Sequence, residues 1–353
     1  TSSAFKDRKY AILGLARSGL SAARSLVAGG AQILAWDNDE GARAKVADIA
    51  TIADPLLSDL SGYDAIVVSP GVPINRHPIA EKAQEEGLSL IGDMELFAMA
   101  RPNLPPHRVV GITGTNGKTT TTALVGQLCE RAGKTVAVAG NISPAALDKL
   151  MACLDSADGL RDLPELWVLE LSSFQLHFTY SLNPSAATVL NLSQDHLDWH
   201  GDMQAYATAK AAIFGPSSIC IVNRDEVELN RLLGGQLEDR QIIHFGSNRP
   251  DEPGSFGIER DPQAGGIDWL VWAEVDEDAE LEKPKRRRKV VAAEAEPIRL
   301  KRLIPADALR IRGKHNALNA LAALALARAV GLPLNKLLHG LREYRGEPHR
   351  VQS

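Results

Sequence analysis

The segment Gly111-Ile-Thr-Gly-Thr-Asn-Gly-Lys118-Thr-Thr120 lies between an apolar run and an apolar helical stretch, and its residue types suit a phosphate. Successive backbone N–H groups in such a turn, ending at a helix N-terminus, form a concave cradle for anionic oxygens. Lys118 can neutralise the β- and γ-phosphates of a nucleotide, and the Thr119 hydroxyl can reach a Mg²⁺ ion held there. The generic nucleotide loop carries a glycine where this chain has Ile112, so the turn here is tighter. A strand-to-helix turn that binds no phosphate is the plain alternative, and Gly-Lys-Thr-Thr in this setting argues against it.

Other side chains could serve the same chemistry. Glu170 closes the apolar run Trp167-Val-Leu-Glu170, where a charge is costly without a partner or a task. Facing a phosphate loop, its carboxylate can hold Mg²⁺, which prefers oxygen ligands. An ordinary salt-bridged glutamate at a strand end is the competing reading. His196, in Gln194-Asp-His196, follows the apolar stretch Ala187 to Leu192 and by itself reads as structural. Lys210, ending Ala205-Tyr-Ala-Thr-Ala-Lys210, by itself reads as a surface lysine on a helix. Asn141, in Gly-Asn-Ile, by itself reads as a turn residue.

Gly14-Leu-Ala-Arg-Ser-Gly19, with Asp37 beyond it, imitates a dinucleotide fingerprint. Its middle position is Ala16 rather than glycine, which keeps the backbone from approaching a pyrophosphate as closely and argues against NAD.

These residues need a scaffold of alternating strands and helices. Tyr10 to Gly14, Ala31 to Ala35, Ala65 to Ser69 and Leu90-Ile91 read as strands around a helical stretch from Leu20 to Ala28. Arg101-Pro-Asn-Leu-Pro-Pro-His107 reads as a linker. Val109 to Thr113 then opens a second such unit, with candidate strands at Val136 to Ala139, Trp167 to Leu171, Ala187 to Leu190 and Ile219 to Val222. The expected fold is α/β: an N-terminal Rossmann-like domain, residues 1–100, and a central P-loop-type ATPase domain, residues 101–346, with a mainly parallel sheet. The acidic stretch Glu274 to Glu282 and the basic run Lys283 to Lys289 read as an exposed loop or hairpin rather than a targeting or nucleic-acid segment.

The shortened loop Thr113-Gly-Thr-Asn-Gly-Lys-Thr-Thr120 resembles that of the Mur ligase and folylpolyglutamate synthase superfamily. Further matches are Leu169-Glu-Leu-Ser-Ser-Phe-Gln-Leu176, Asn191-Leu-Ser-Gln-Asp-His-Leu-Asp-Trp-His-Gly201, Ala205 to Lys210, Gly313-Lys-His-Asn-Ala-Leu-Asn319 and Gly346-Glu-Pro-His-Arg350. Within the family, Leu171 to Leu176 and Gly92-Asp-Met-Glu-Leu-Phe97 look most like members that add D-glutamate. The resemblance implies an ATP-dependent carboxylate–amine ligase. It joins D-glutamate to UDP-N-acetylmuramoyl-L-alanine through an acyl phosphate, in peptidoglycan precursor synthesis.

By resemblance, Gly114, Thr115, Asn116, Gly117, Lys118, Thr119, Thr120, Asn316, Asn319 and Arg350 meet ATP. Asn316 also fits a helix N-cap. Arg17 and Ser18 meet the pyrophosphate of the UDP substrate, Asp37 and Asn38 its uridine, and Ser69, Pro70 and Gly71 line the same crevice. Asn141 and Ser172 hold the muramoyl-alanine part. The resemblance gives Lys118, Glu170, His196 and Lys210 the catalytic roles, and places two Mg²⁺ ions on Thr119, Glu170, His196 and Lys210. Lys210 is then carbamylated by CO₂, which reverses its charge so that it attracts the metal. Arg17-Ser18 stands where family members carry a Leu-Thr pair.

The same resemblance makes residues 347–353 a hinge into a third domain. Such a domain needs on the order of 100 residues, so the 353-residue chain is expected to bind the UDP substrate without completing ligation. Sister ligases adding another amino acid remain the nearest rivals, and a nucleotide-sensing module without ligation is a rival of another class. Substrate-dependent ATP turnover separates them.

Composition fits an ordinary soluble enzyme, 44% hydrophobic and 24% charged. A net charge of -5 gives no reason to expect nucleic acid, which would favour a basic face. Three scattered cysteines, Cys129, Cys153 and Cys220, suggest a reducing cytoplasm. No signal-type apolar core precedes the first strand. The apolar stretch Ala317 to Leu334 is interrupted by Asn319 and Arg328, so a buried helix is expected there rather than membrane insertion. A monomer is expected.

Overall fold

The computed structural model describes residues 3–156, 158–263, 265–276 and 297–346. The first sheet is wholly parallel and takes its strands from β1 (Lys9–Leu13), β2 (Gln32–Trp36), β3 (Thr51–Ile52), β4 (Ala65–Val68) and β5 (Ser89–Ile91), in the order β3-β2-β1-β4-β5. The order reverses between β1 and β4, and the crevice at such a switch point is where open α/β sheets bind ligands. The turn Gly14 to Gly19 leaves β1 at that crevice. A Cβ on Gly19 would lie 1.9 Å from the Gly14 carbonyl oxygen, so only glycine lets the helix Arg17–Ala28 start so close to the strand.

The second sheet is also parallel: β6 (Arg108–Thr113), β7 (Val136–Gly140), β8 (Leu166–Glu170), β9 (Ala186–Val189), β10 (Ile219–Asn223) and β11 (Ile242–Phe245), in the order β11-β10-β9-β6-β8-β7. β6 sits in the middle, and the phosphate loop leaves its C-terminal end. Every residue of β8 is buried, as a central parallel strand covered on both faces requires.

The helix Asp93–Ala100 joins the two sheets. Phe97 sits edge-on to Trp167 of β8 with ring centroids 5.0 Å apart, and both are fully buried. One hydrophobic cluster therefore runs from Tyr10 and Ile12 of the first sheet through Leu96 and Phe97 to Leu169 and Val189 of the second. The proline-rich segment that follows is held down: Arg101 donates to His107 Nε2 at 3.0 Å and to the Leu182 carbonyl.

A third, antiparallel sheet was not expected from the sequence. It has β12 (Phe256–Asp261), β13 (Ile267–Val275) and β14 (Ile298–Pro305), ordered β12-β13-β14. Phe256, Leu270 and Ile304 pack it toward the helix Lys314–Ala329. That helix is buried nearly all round from Ala320 to Ala327, so its continuous apolarity reflects the core. Among the described residues no helix is long and apolar enough to cross a membrane. The run Lys283 to Lys289 lies outside the described residues.

Candidate active site at the phosphate loop

Gly117 caps the helix Lys118–Arg131 with φ of 80°, and a Cβ there would lie 2.6 Å from Asn319 Oδ1. The loop is therefore glycine-dependent twice over, in backbone conformation and in the close approach of Asn319. Asn191 pins it from the other side. Its Oδ1 accepts from the Asn116 N–H at 2.8 Å, and its Nδ2 donates to the Asn116 carbonyl at 3.0 Å. The Thr115 hydroxyl accepts from the Ser193 N–H at 3.0 Å and lies 3.4 Å from the Tyr206 hydroxyl. Lys118 folds over the turn, donating to the carbonyls of Gly114 at 2.9 Å and Thr115 at 3.0 Å. Thr119 and Thr120 follow in the first turn of the helix, half-buried.

Lys210 is not the surface lysine that its segment suggests. The helix Met203–Ala211 turns it inward, leaving it 2% exposed. Its Nζ donates to the Gly114 carbonyl at 3.0 Å and lies 4.7 Å from the centre of the Tyr206 ring. Burial, and then the nearby Lys118 charge, bring its pKa down to about 7, against a smaller opposing pull from Asp195. Much of the amine is therefore neutral near pH 7, the state that reacts as a nucleophile.

Glu170 ends β8, opposite Ile112 of β6, and is 2% exposed. Its Oε1 accepts from Asn141 Nδ2 at 3.1 Å, while Oε2 is buried with no hydrogen-bond partner. Among the described residues no cation pairs with it, which argues against the salt-bridged alternative. An unpaired buried carboxylate oxygen at the end of the strand beside the one that feeds the phosphate loop is the donor a bound Mg²⁺ would use. Among the described residues no three His, Cys, Asp or Glu side chains cluster to hold a metal by themselves. That fits Mg²⁺, which commonly takes one or two carboxylates with substrate phosphates and water.

His196 has left-handed backbone, φ 52°, and opens the short helix Leu197–His200. Its Nε2 lies 3.3 Å from Asp195 Oδ2, both side chains about half exposed, and its ring centroid is 4.7 Å from that of Phe174. His200, packed among Phe174, His177 and Trp199, is held neutral: burial, then the charges of His177 and Lys210, lower its pKa to about 4.

On the first sheet, Asp37 Oδ2 accepts from the Leu15 N–H at 2.6 Å, so part of this carboxylate is spent shaping the turn. Asp37, Asn38 and Gly71 line a cavity of about 280 Å³ with Gly14, Trp36 and Val72. Ser69 is buried beneath Gly14 and is not among the lining residues. Arg17 donates from Nη2 to the Asn141 carbonyl at 2.6 Å, joining the turn to the loop that holds Glu170. Ser172 caps the helix Ser173–His177 in a reciprocal box with Gln175.

A cavity of about 400 Å³ beside the loop is lined by Asn116, Gly117, Asn191, Glu226, His315 and Asn319 among others. Asn319 Nδ2 donates to Asn316 Oδ1 at 3.3 Å, which sets both on one helix face. Asn316 is not the N-cap: Gly313 is, and Asn316 donates to the Arg312 carbonyl from inside the first turn. A larger cavity, about 790 Å³, opens between the third sheet, near Arg260, and the start of the helix that carries Asn316, with Arg312, Gly313, Lys314 and Ala317 in its lining. Arg350 lies outside the described residues.

Sequence reasoning assigned no role to Asn191, Tyr206, Asp93 or Gln175. All four stand inside motif segments quoted above, but nothing in their types or spacing says which loop each one braces.

Residues 112–327 match the model of the Mur ligase middle domain. The chain is 51% identical over 97% of its length to the UDP-N-acetylmuramoylalanine--D-glutamate ligase of Cupriavidus metallidurans, covering 70% of that relative. It is 50% identical over 97% of its length to the enzyme of the same name from Ralstonia nicotianae, again covering 70%. Among solved structures, the UDP-N-acetylmuramate:L-alanyl-gamma-D-glutamyl-meso-diaminopimelate ligase from Neisseria meningitides superposes with a TM-score of 0.54 at 17% identity, covering 96% of this chain and 98% of the other. A UDP-N-acetylmuramoyl-L-alanyl-D-glutamate--2,6-diaminopimelate ligase gives 0.53 at 22%, covering 85% and 63%. At those identities the structural matches speak to the fold.

Proposed function

The chain belongs to the Mur ligase family, and from that premise we propose that it is the ATP-dependent ligase that adds D-glutamate to UDP-N-acetylmuramoyl-L-alanine. One arrangement supports this beside the sequence similarity. Lys118 and Lys210 converge on the Gly114 carbonyl, and the unpaired oxygen of Glu170 ends the strand next to the loop. Cations and a free carboxylate oxygen around one phosphate cradle suit phosphoryl transfer, where catalysis is mostly positioning and charge stabilisation.

In this mechanism the loop N–H groups and the start of the helix Lys118–Arg131 hold the nucleotide's phosphates, and Asn316 and Asn319 meet its other end. Lys118 exchanges its loop carbonyls for the β- and γ-phosphates. The open N-terminus of the helix Arg17–Ala28, which lacks both a side-chain cap and an acidic residue in its first turn, receives the pyrophosphate of the UDP substrate. The cavity at Asp37, Asn38 and Gly71 takes the uridine. The alanyl carboxylate, oriented by Asn141 and Ser172, attacks the γ-phosphorus and displaces ADP. The D-glutamate amine then attacks the acyl carbon and phosphate leaves.

Thr119 and Glu170 would hold one Mg²⁺, and His196 with carbamylated Lys210 a second. Bound there, the ions would offset the negative charge of phosphates and carboxylate. Carbamylation needs no enzyme. The neutral Lys210 amine attacks the carbon of CO₂, an N–C bond forms, a C=O electron pair moves to oxygen and one amine proton leaves to water. A monomer in the cytoplasm suits these substrates and the three unpaired cysteines.

The test crosses UDP-muramoyl precursors with candidate amino acids and follows ADP release by the whole product of the gene. Turnover confined to UDP-N-acetylmuramoyl-L-alanine with D-glutamate is expected. Turnover with the unsubstituted UDP-sugar and L-alanine would assign a sister reaction instead.

A further inference from the structure

The segment Gly92 to Phe97 places two carboxylates at the start of one helix, and both are buried: Asp93 is 3% exposed and Glu95 7%. Their partners differ in kind. Glu95 accepts from the Tyr180 and Ser181 N–H groups at 2.6 and 2.9 Å and from the Ser181 hydroxyl at 2.7 Å, an anchor to a loop with no expected role. Asp93 instead accepts from Gln175 Nε2, at 3.3 and 3.0 Å to its two oxygens, and has Ser18 near enough to favour its charged form. Its neighbours therefore belong to the two turns proposed above to meet the UDP substrate.

Gln175 has only one workable orientation. Its Oε1 accepts from the Ser172 N–H at 3.2 Å, and its own N–H donates to Ser172 Oγ at 3.2 Å. Flipping the amide would set NH₂ against the Ser172 N–H and oxygen against the Asp93 carboxylate. Asp93 thus fixes the amide that fixes Ser172, two residues beyond Glu170. At its other end it lies near Ser18, in the first turn of the uncapped helix Arg17–Ala28. The Asp93 carboxylate also stands in the first turn of its own helix, where negative charge is favoured. Burial pulls in the other direction and raises its pKa.

We infer that Asp93 is a positioning residue that joins the UDP-binding turn to the Ser172 cap, so that the turn and the carboxylate end of the substrate site are set together. This rests on the function proposed above and deepens it. No contact between Asp93 and substrate is required.

The experiment is an exchange of the pair, read by calorimetric binding of UDP-N-acetylmuramoyl-L-alanine and, separately, of ATP, with thermal midpoints for each variant. Asp93→Asn should weaken the UDP substrate by about tenfold, the loss of one charge-assisted hydrogen bond, and leave ATP nearly unchanged. Gln175→Glu should weaken it by about a hundredfold, because two carboxylates then face each other without water. Asp93→Asn combined with Gln175→Glu restores one carboxylate, one amide and the donor pattern toward Ser172, so affinity should return to within about threefold of the unaltered chain. Such non-additivity is the mark of a direct pair.

Wild-type affinity in Asp93→Asn would overturn the inference. So would an exchange that restores the thermal midpoint but not UDP-substrate affinity, since that is the behaviour of a brace with no bearing on the site. Absence of binding by the unaltered chain would overturn the functional proposal and the inference with it.

Discussion

At Lys210, burial and charge give an amine with a pKa of about 7 in place of the ordinary 10.5. Between those values the folded chain binds fewer protons than the unfolded one. The unmodified lysine therefore costs stability in full below about pH 7, and the cost fades as pH rises toward 10.5. In CO₂-free buffer, the urea midpoint of the unaltered chain should rise with pH across that window more steeply than that of Lys210→Met. Equal slopes would mean that Lys210 is solvated. With ¹³CO₂ added, a carbamate resonance should appear in the unaltered chain and be absent from Lys210→Met. Lys118 is expected to behave differently, because the function proposed above sets it against the transferred phosphoryl group. Lys118→Ala in the whole gene product should abolish ADP release while leaving UDP-substrate binding within about twofold, and unchanged turnover would remove the phosphate-loop assignment. The type and spacing of Lys118 suggested its proposed role from the sequence, because a Gly-Lys-Thr turn has few other uses. Lys210 offered no such signal: helix Met203–Ala211 has small residues on most sides, and only the tertiary fold shows that its lysine points inward.

At the scale of elements, the glycine loop and the helix that approaches it depend on each other. Gly117→Ala must accept positive φ and push Asn319 away from 2.6 Å. A stability loss of about 1–3 kcal/mol follows from the backbone conformation alone, and ATP affinity should fall by more than that of the UDP substrate. Urea unfolding and parallel calorimetry measure both; a loss confined to stability would show that Asn319 does not serve the nucleotide. All strands of the two parallel sheets except β3 and β11 were readable as short apolar runs, most of them ended by glycine, serine, asparagine or aspartate, since strands buried on two faces carry little else. β12 to β14 escaped notice because Phe256–Asp261 and Ile298–Pro305 mix charge with apolar residues on a half-exposed face, and their pairing is long-range. The short strand Thr51–Ile52 is too brief to leave any pattern.

Across the whole molecule, the helix Asp93–Ala100 joins the two sheets through the core, beside polar links such as Arg17 to the Asn141 carbonyl. Phe97 is fully buried against Trp167, so Phe97→Ala should cost about 3–5 kcal/mol in urea unfolding. It should also separate one transition into two if the sheets unfold independently without it. A loss under about 1 kcal/mol would show that the helix is not the joint. That role was not legible beforehand: Gly92 to Phe97 reads as a family signature, while the contacts of Asp93, Glu95 and Phe97 across to the second sheet appear only once the chain is folded. The most direct test of the central claim is ADP release by the whole gene product with ATP, Mg²⁺ and UDP-N-acetylmuramoyl-L-alanine, with and without D-glutamate. Release that requires both the UDP substrate and D-glutamate, and is lost with L-glutamate, is the expected result. Release that ignores either substrate, or none under any combination, would contradict it.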